Sequence, residues 1–582
     1  MWFPRYFPAL VILSSVTAFA GQKDESRTEN ELIGLRLKTM QRPDRLPDSP
    51  EKTETTTGVP IAGNLPKSGA NEAWPGEQLS EAALTQLRRL TTTPGENKTN
   101  EVLAPGFLCS DLETPGKTKS LSPNLTVHSG TPGEAKPTSP KEFLAKLRAL
   151  GKVKFKVSGV ESLTTRLHVE ANRDGAEYSA TWLCKWGKEM PPKLKKLEVE
   201  TFETVHSDGP SFLDATSPAI GKNPRFDAQV MRGIEYWSRR ITRIGDLAMT
   251  GHHGIAVGDV NGDGYEDLYV CDGGSLPNQL YLQQEDGTAK EVASEWDVAW
   301  LEDSRSALLV DLDNDGDQDL VVATVALVVF AENTGQGKFE LKGGFPGAPY
   351  PFSLSASDFD SDGDLDIYTC VYSAGDDSVS GKRGFEATSP IPFNDAENGG
   401  RNVLLANLGG FEFGEVTKEV GLDQNNTRWS FAASWEDFDR DGDPDLYVAN
   451  DFGRNCLYRN DGGRFINIAS EAGAEDMAAG MSVAWGDFNR DGEADLLVGN
   501  MFSSAGQRVA FQRKFGDGKK RMARGNSLFE AKEGEFEDVS ITSGVTNGGW
   551  AWSSGFADLN NDGWEDLVVA NGYLTNTRDD DL

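Results

Sequence analysis

Six nine-residue stretches place side-chain oxygens at one fixed spacing. Positions 1, 3, 5 and 9 are Asp259, Asn261, Asp263 and Asp267 in the first, then Asp311, Asp313, Asp315 and Asp319 in the second. Asp358, Asp360, Asp362 and Asp366 follow, then Asp437, Asp439, Asp441 and Asp445. The last two sets are Asp487, Asn489, Asp491, Asp495 and Asp558, Asn560, Asp562, Asp566, and position 6 is always glycine. Of the 54 positions 27 are Asp or Glu, offset only by Arg440 and Arg490. Two unit charges ~4 Å apart repel by roughly 4 kcal/mol at an effective dielectric near 20, so several converging carboxylates need a counter-ion. Calcium suits them, because it takes ~6–8 hard oxygen ligands and tolerates irregular geometry, whereas magnesium prefers an octahedron and keeps its waters. Glycine at position 6 permits the positive φ that curls the chain round an ion, and position 7 is expected to add a backbone carbonyl. Up to six structural Ca2+ ions are therefore expected, held by the 24 residues named. An Asp- and Gly-rich turn can also be a plain hairpin connection, since Asp and Asn form turns unaided. One spacing in six copies makes that a poor account of the set, although single loops, above all those with Asn at position 3, could be weak or empty.

An EF-hand needs a bidentate Glu at position 12. Here position 12 is Val270, Val322, Thr369, Val448, Val498 or Val569, none of which can ligate. The residues after each closing Asp are apolar and mostly β-branched or aromatic, as in Leu320-Val-Val322 and Leu446-Tyr-Val448, which predicts a buried strand and a loop joining strand to strand. First positions fall 52, 47, 79, 50 and 71 residues apart. A unit of about 50 residues holds four strands, the size of a propeller blade. A second signature marks the same unit: Asn278-Gln-Leu-Tyr281, Asn402-Val-Leu-Leu405, Asn455-Cys-Leu-Tyr458 and Asn526-Ser-Leu-Phe529, the last three leading to Phe413, Phe465 and Phe536. The long spacings read as insertions near Ser373–Gly400 and Met501–Gly525.

Taken together, the two signatures resemble the FG-GAP, or VCBS, repeat family, found in the N-terminal propellers of integrin alpha subunits and in cartilage acidic protein-like secreted proteins. The resemblance covers roughly residues 212–582. It implies a seven-bladed β-propeller, calcium in the hairpin loops at positions 1, 3, 5 and 9, extracellular placement, and binding or adhesion in place of catalysis. The expected fold is thus mainly β, a six- to seven-bladed propeller over 206–582. Only six loops are present, and the sixth repeat reaches Leu582 without its Asn-x-Leu-aromatic half. Either Phe212-Leu-Asp214-Ala-Thr216, which resembles the outer-strand ends at Phe465 and Phe536, completes the last blade, or the chain stops in mid-unit.

A net charge of −34 argues against a nucleic-acid partner, whose binding face needs clustered Lys and Arg. Much of the excess sits in the loops. Met1–Ala20 reads as a secretory signal, with Arg5, an apolar run from Phe7 to Val16 and Ala18-Phe19-Ala20 as a small-x-small cleavage site. The longest apolar run elsewhere, Leu320–Ala331, is too short to span a bilayer as a helix, so a secreted, periplasmic or cell-surface protein without a transmembrane segment is expected. Five cysteines make no disulfide framework. Cys271 and Cys370 occupy the place of Ala323, Ala449, Gly499 and Ala570, where a small buried side chain is wanted; a Cys109–Cys184 bridge stays open.

Residues 21–138 are rich in Pro, Thr, Gly, Glu and Lys and read as a low-complexity linker, mostly disordered, with one short helix around Ser80–Leu90. At Ser139 the texture changes. Ser139-Pro140-Lys-Glu142 is a capping box, Phe143, Leu144, Leu147 and Leu150 share a face, and Gly151 stops the helix. About four alternating strands follow, among them Tyr178/Ala180/Trp182/Cys184/Trp186, making a small α+β domain over 139–205. The Tyr/Trp stripe reads as core, with a ligand pocket as the other option. A further helix is expected over Phe226–Ile241.

The leading functional expectation is a calcium-stabilised scaffold that binds an extracellular or envelope protein or glycan. The rival is a hydrolase or lyase with a site in the axial channel, for which His252-His253 would be candidates. Against catalysis stand five histidines in all and no G-x-S-x-G or H-E-x-x-H motif. A third option gives ligand binding to the 139–205 domain. The basic island Arg508, Arg513, Lys514, Lys519, Lys520, Arg521 and Arg524 reads as a solvated loop that could dock an acidic surface.

Overall fold

The computed structural model describes residues 75–571, apart from 93–95, 123, 174, 210–211, 233–235, 238–239, 241–253, 273–275, 347–350, 373–394, 504–505 and 508–520. The signal segment, His252-His253, the end of the expected 226–241 helix, most of the basic island and the body of the first insertion lie outside the described residues.

Much of the expected linker is folded. Helices α1 (Pro75–Thr92) and α2 (Glu96–Val102) precede strands β1 (Leu103–Cys109), β2 (Lys117–Ser122), β3 (Leu125–Ser129) and β4 (Lys136–Pro137). Helix α3 (Pro140–Ala149) then leads into β5 (Lys152–Glu161), β6 (Thr164–Arg173), β7 (Ala176–Trp186) and β8 (Leu194–Ser207). All eight strands form one sheet, in the path β2-β3-β8-β7-β6-β5, with β1 running parallel to β8 and antiparallel to β4. The helix expected around Ser80–Leu90 lies within α1, which packs its apolar face on the core; the linker expectation fails for the rest, and over 103–129 because β8 is long enough to offer its edge to both β1 and β3, so backbone pairing orders a polar segment. Only a few of its side chains need burial: Leu103, Phe107, Cys109 and Leu112 are at most 3% exposed, and Leu87 and Leu90 of α1 join the same core.

Ser139 caps α3 by accepting the Glu142 N–H at 3.2 Å. The Tyr/Trp stripe of β7 is core. Trp182 and Trp186 are buried, with Trp186 Nε1 donating to Thr165 Oγ1 at 2.9 Å and Tyr178 O–H to the Leu112 carbonyl at 2.7 Å. Cys109 and Cys184 are buried free thiols, which settles the open pairing.

Five four-stranded antiparallel sheets follow, within 255–291, 304–345, 351–415, 430–467 and 480–538, and then a two-stranded hairpin, Ala551–Ala557 with Asp566–Asn571. In each, strands pair in chain order, and the first strands of neighbouring sheets lie side by side from Ile255–Gly258 to Ala551–Ala557. This is propeller-like stacking. Apolar side chains of adjacent sheets share cores, as where Leu320, Val322 and Ala331 meet Tyr269, Leu280 and Trp296. Cys271, Cys370, Ala323 and Ala449 are buried at the shared small-residue position.

Phe212 does not complete the sixth repeat. It is 60% exposed, and the segment after it, α4 (Thr216–Ile220) with a π-helical turn at Phe226–Val230, packs on the first sheet through Ile220, Phe226 and Tyr281. Asn223 fixes it there, donating to the Ala289 carbonyl at 2.8 Å and accepting the Glu291 N–H at 2.9 Å. The apolar pattern that resembled an outer strand belongs to an exposed lead-in. Short helical turns replace most of the described part of the longer helix expected from Phe226.

From the second sheet onward each first strand carries a bulge, at Arg305, Phe352, Phe431, Met481 and Trp552. A bulge leaves its residue unpaired and re-aims the side chain. These side chains gather at the strand ends remote from the Asp loops: Phe431 lies 4.5 Å from Phe352 and 5.9 Å from Trp552, with Met481 in the same cluster.

Candidate metal sites in the hairpin loops

Each Asp-rich stretch is the turn between the first and second strands of its sheet, and the sequence folds it by pinning its own backbone. The position-1 carboxylate accepts the N–H of the position-6 glycine in all six loops, at 2.8 Å for Gly264 on Asp259 and 3.1 Å for Gly442 on Asp437. Position 5 accepts the N–H of position 7, as Asp315 does from Asp317 at 2.9 Å. The glycines turn at φ from +81° to +100°. Position 4 is left-handed as well, and only the first loop has glycine there; Asn314, Ser361, Arg440, Arg490 and Asn561 all sit near φ +60°. Five non-glycine residues held in that region mark a turn that its own hydrogen bonds over-determine.

Position 9 is the anchor. Asp267, Asp319, Asp366, Asp445 and Asp495 are at most 2% exposed. One oxygen of each takes the position-2 N–H, and the other takes an N–H from the third strand: Gln283, Asn333, Asn407, Asn460 or Ala531, at 2.7–2.9 Å. Burial pushes these carboxyls up, to about 8 for Asp445, about 7 for Asp319 and Asp366 and about 6 for Asp267 and Asp495, against the pull of those N–H donors. Burial, then the neighbouring position-5 charge, also raises Asp313, Asp360 and Asp439.

The structure draws three sets together: Asp311, Asp313, Asp315; Asp358, Asp360, Asp366; and Asp437, Asp439, Asp445, each with one oxygen per residue within 4.8 Å of the others. In the second and fourth loops the convergence leaves shielded oxygens without hydrogen-bond partners among the described residues, one each on Asp311, Asp313, Asp437 and Asp439. Shielded carboxylate oxygens that accept nothing fit a cation as their missing partner. Loops with Asn at position 3 are knit differently. Asn261 Nδ2 donates to Asp263 at 3.0 Å and Asn489 Nδ2 to Asp491 at 2.9 Å, so an amide takes part of the role a cation would have. In the sixth loop Asp558 accepts from Asp562 and Gly563, and Asp566 accepts from Leu559.

One set of buried asparagines escaped the sequence reading, and a second was read only as a repeat signature. Asn333, Asn407 and Asn460, besides serving their own position-9 Asp, donate Nδ2 to the position-2 carbonyl of the preceding loop, that of Val260, Leu312 or Phe359, each at 2.8 Å. The signal was present: Asn402 and Asn455 are each followed five residues later by a second Asn. The signature asparagines themselves accept the N–H that ends the second strand, as Asn455 does from Asn450 at 2.8 Å. Of the described basic-island residues, Arg521 and Arg524 both pair with Asp538, so that part of the island is internally neutralised.

A family model described as an FG-GAP-like repeat matches residues 259–322, 311–369 and 437–498. The 259–498 region carries FG-GAP-like repeats. No curated protein matches the chain. Among solved structures, an Agrocybe aegerita lectin that recognises non-reducing terminal N-acetylglucosamine is similar at 13% identity and a TM-score of 0.32, over 71% of this chain and 86% of that one. The Photorhabdus luminescens Tc holotoxin pore is similar at 14% identity and a TM-score of 0.24, over 60% of this chain and 13% of that one. No described helix is long and apolar enough to cross a membrane.

Proposed function

We propose that the FG-GAP-like repeats form an exported, calcium-stabilised β-propeller that serves as a binding or adhesion scaffold for a protein or glycan, not as an enzyme. The observation that carries the calcium reading is the set of unpartnered oxygens on Asp311, Asp313, Asp437 and Asp439 beside further carboxylates. Positions 1, 3, 5 and 9 of each loop would hold the ion, which supplies charge neutralisation and a stiff turn. Export rests on the leader-like Met1–Ala20. The non-catalytic reading is supported by loop carboxylates committed to pinning the turn and by an apolar cluster at the opposite strand ends, Phe352, Phe431 and Met481 with Trp552 packed against them.

A ligand bound only by the folded state stabilises it by about 2.7 kcal/mol at 100 times its dissociation constant. Thermal melting of the mature chain with calcium and with EGTA is therefore the test. A midpoint several degrees lower in EGTA is expected, and an unchanged midpoint removes calcium from the account.

A further inference from the structure

The strand ends remote from the calcium loops hold a buried carboxylate whose chemistry is incomplete. Asp451, just past the second strand of the fourth sheet, is 3% exposed. Its Oδ2 accepts the Tyr372 O–H at 2.6 Å, and its Oδ1 has no hydrogen-bond partner among the described residues. No ion pair reaches it among the described residues. Arg428, one residue from Trp429, gives its guanidinium to Asp395 at 2.6 Å and Glu397 at 3.1 Å. Aromatic rings surround the site. Tyr372 lies 4.9 Å from Trp429 and 4.5 Å from Phe431, and Trp429 lies 5.9 Å from Phe452. Tyr372, Trp429 and Phe452 are only half-buried, so part of each residue reaches solvent.

A buried carboxylate oxygen without a partner is costly, and such a group in a folded protein calls for an explanation. The Tyr372 phenol satisfies one oxygen, but burial still raises the carboxyl to about 7, so a cation beside it would stabilise the ionised form. Ring faces attract cations and a carboxylate binds them, so the two features select one ligand chemistry. We infer that Asp451, with Tyr372, Trp429, Phe431 and Phe452, forms a recognition site for an organic cation, an alkylammonium or guanidinium head. This gives chemical content to the binding role proposed above and rests on that reading, but not on the calcium loops. Within the repeats the site is a local departure: the positions equivalent to Asp451 are Tyr372 in the third sheet and Met501 in the fifth.

The test is titration of the mature chain, with calcium present, by n-butylammonium, n-butylguanidinium and tetramethylammonium chlorides, read by tryptophan fluorescence and calorimetry. Sodium chloride controls for ionic strength and N-acetylglucosamine for a sugar ligand. Saturable binding of the organic cations is expected, at least tenfold weaker in Asp451→Asn, which keeps an acceptor for Tyr372 but removes the charge. Trp429→Phe, which keeps a ring but a weaker cation–π face, should lower both the fluorescence change and the calorimetric affinity, the affinity by a smaller factor than Asp451→Asn does. An acetylated pentapeptide with one lysine distinguishes the sources: tighter binding than butylammonium marks a protein partner, and weaker binding a small amine. No saturable organic-cation binding, an equal response to sodium, a response to the sugar alone, or an unchanged affinity in Asp451→Asn each overturns the inference. Calcium-dependent melting recorded on the same samples shows whether the scaffold reading stands or falls separately.

Discussion

Asp439→Asn should stabilise the chelated protein and destabilise the calcium-loaded one, a reversal that only a metal-dependent charge cluster produces. Asp439 has one oxygen within 4.8 Å of oxygens on both Asp437 and Asp445. At that separation and an effective dielectric near 20, each ionised pair costs ~3.5 kcal/mol. Solvent screening at a partly exposed turn, and the partial protonation that burial imposes on Asp445, reduce the relief to ~1–2 kcal/mol. The new amide can also donate to Asp441, as Asn261 does to Asp263, for a further ~1 kcal/mol. Without metal the midpoint should therefore rise by a few degrees, at roughly 2 °C per kcal/mol for a unit larger than ~250 residues. With calcium the variant lacks one charged ligand, and each tenfold loss of affinity removes about 1.4 kcal/mol of ligand stabilisation. Calorimetric melting of both proteins in EGTA and in calcium gives four midpoints. If the variant melts lower than the parent in EGTA, the cluster is not repulsive and the account of these loops is wrong.

Two further outcomes test the packing around the loops. Asn460→Ala deletes the 2.8 Å bond from Nδ2 to the Phe359 carbonyl, so it should cost ~1–3 kcal/mol and speed amide exchange in the third loop as well as the fourth, with the fifth unaltered; exchange confined to the fourth sheet would refute the tie. Asp538→Asn should destabilise in a pH-dependent way. Burial alone would raise the Asp538 carboxyl, but hydrogen bonds from Ser540 and Arg524 and the charges of Arg524 and Arg521 outweigh it and hold the group at about 2, below its ordinary 3.8. A depressed carboxyl contributes stability above 3.8 that is lost as pH falls toward 2. The melting deficit of the variant should accordingly be full at neutral pH and close between pH 4 and 2; a deficit constant across that range would refute the charge assignment.

What was legible in the sequence is what nine contiguous residues settle among themselves. Gly442 donates to Asp437 five residues back and Asp443 to Asp441 two back, so spacing alone exposes the turn and the strands it must join. The asparagine signature was legible as a repeat, but not as a set of buried strand-end acceptors. Longer reaches left fainter marks. Asn460 and Phe359 are 101 residues apart, and Tyr372 and Asp451 are 79 apart. Residues 103–137 were misread because their composition is that of a solvated chain, and what orders them is the edge of β8, whose paired residues lie 74–91 positions later.

The repeats also divide by end. At the loop end all six keep oxygen donors at the same four positions, because each does the same work for its own backbone. At the opposite end the bulge positions read Arg305, Phe352, Phe431, Met481 and Trp552, five residues of four different types at one structural place. Tyr372, Asp451 and Met501 vary likewise at the next position outward. Both long insertions leave from that same end, between second and third strands. On the proposed reading, uniform loops at one end and varied side chains at the other would separate stability from recognition, so substitutions around Asp451 should alter binding without altering the response to calcium, and substitutions in the loops should do the reverse.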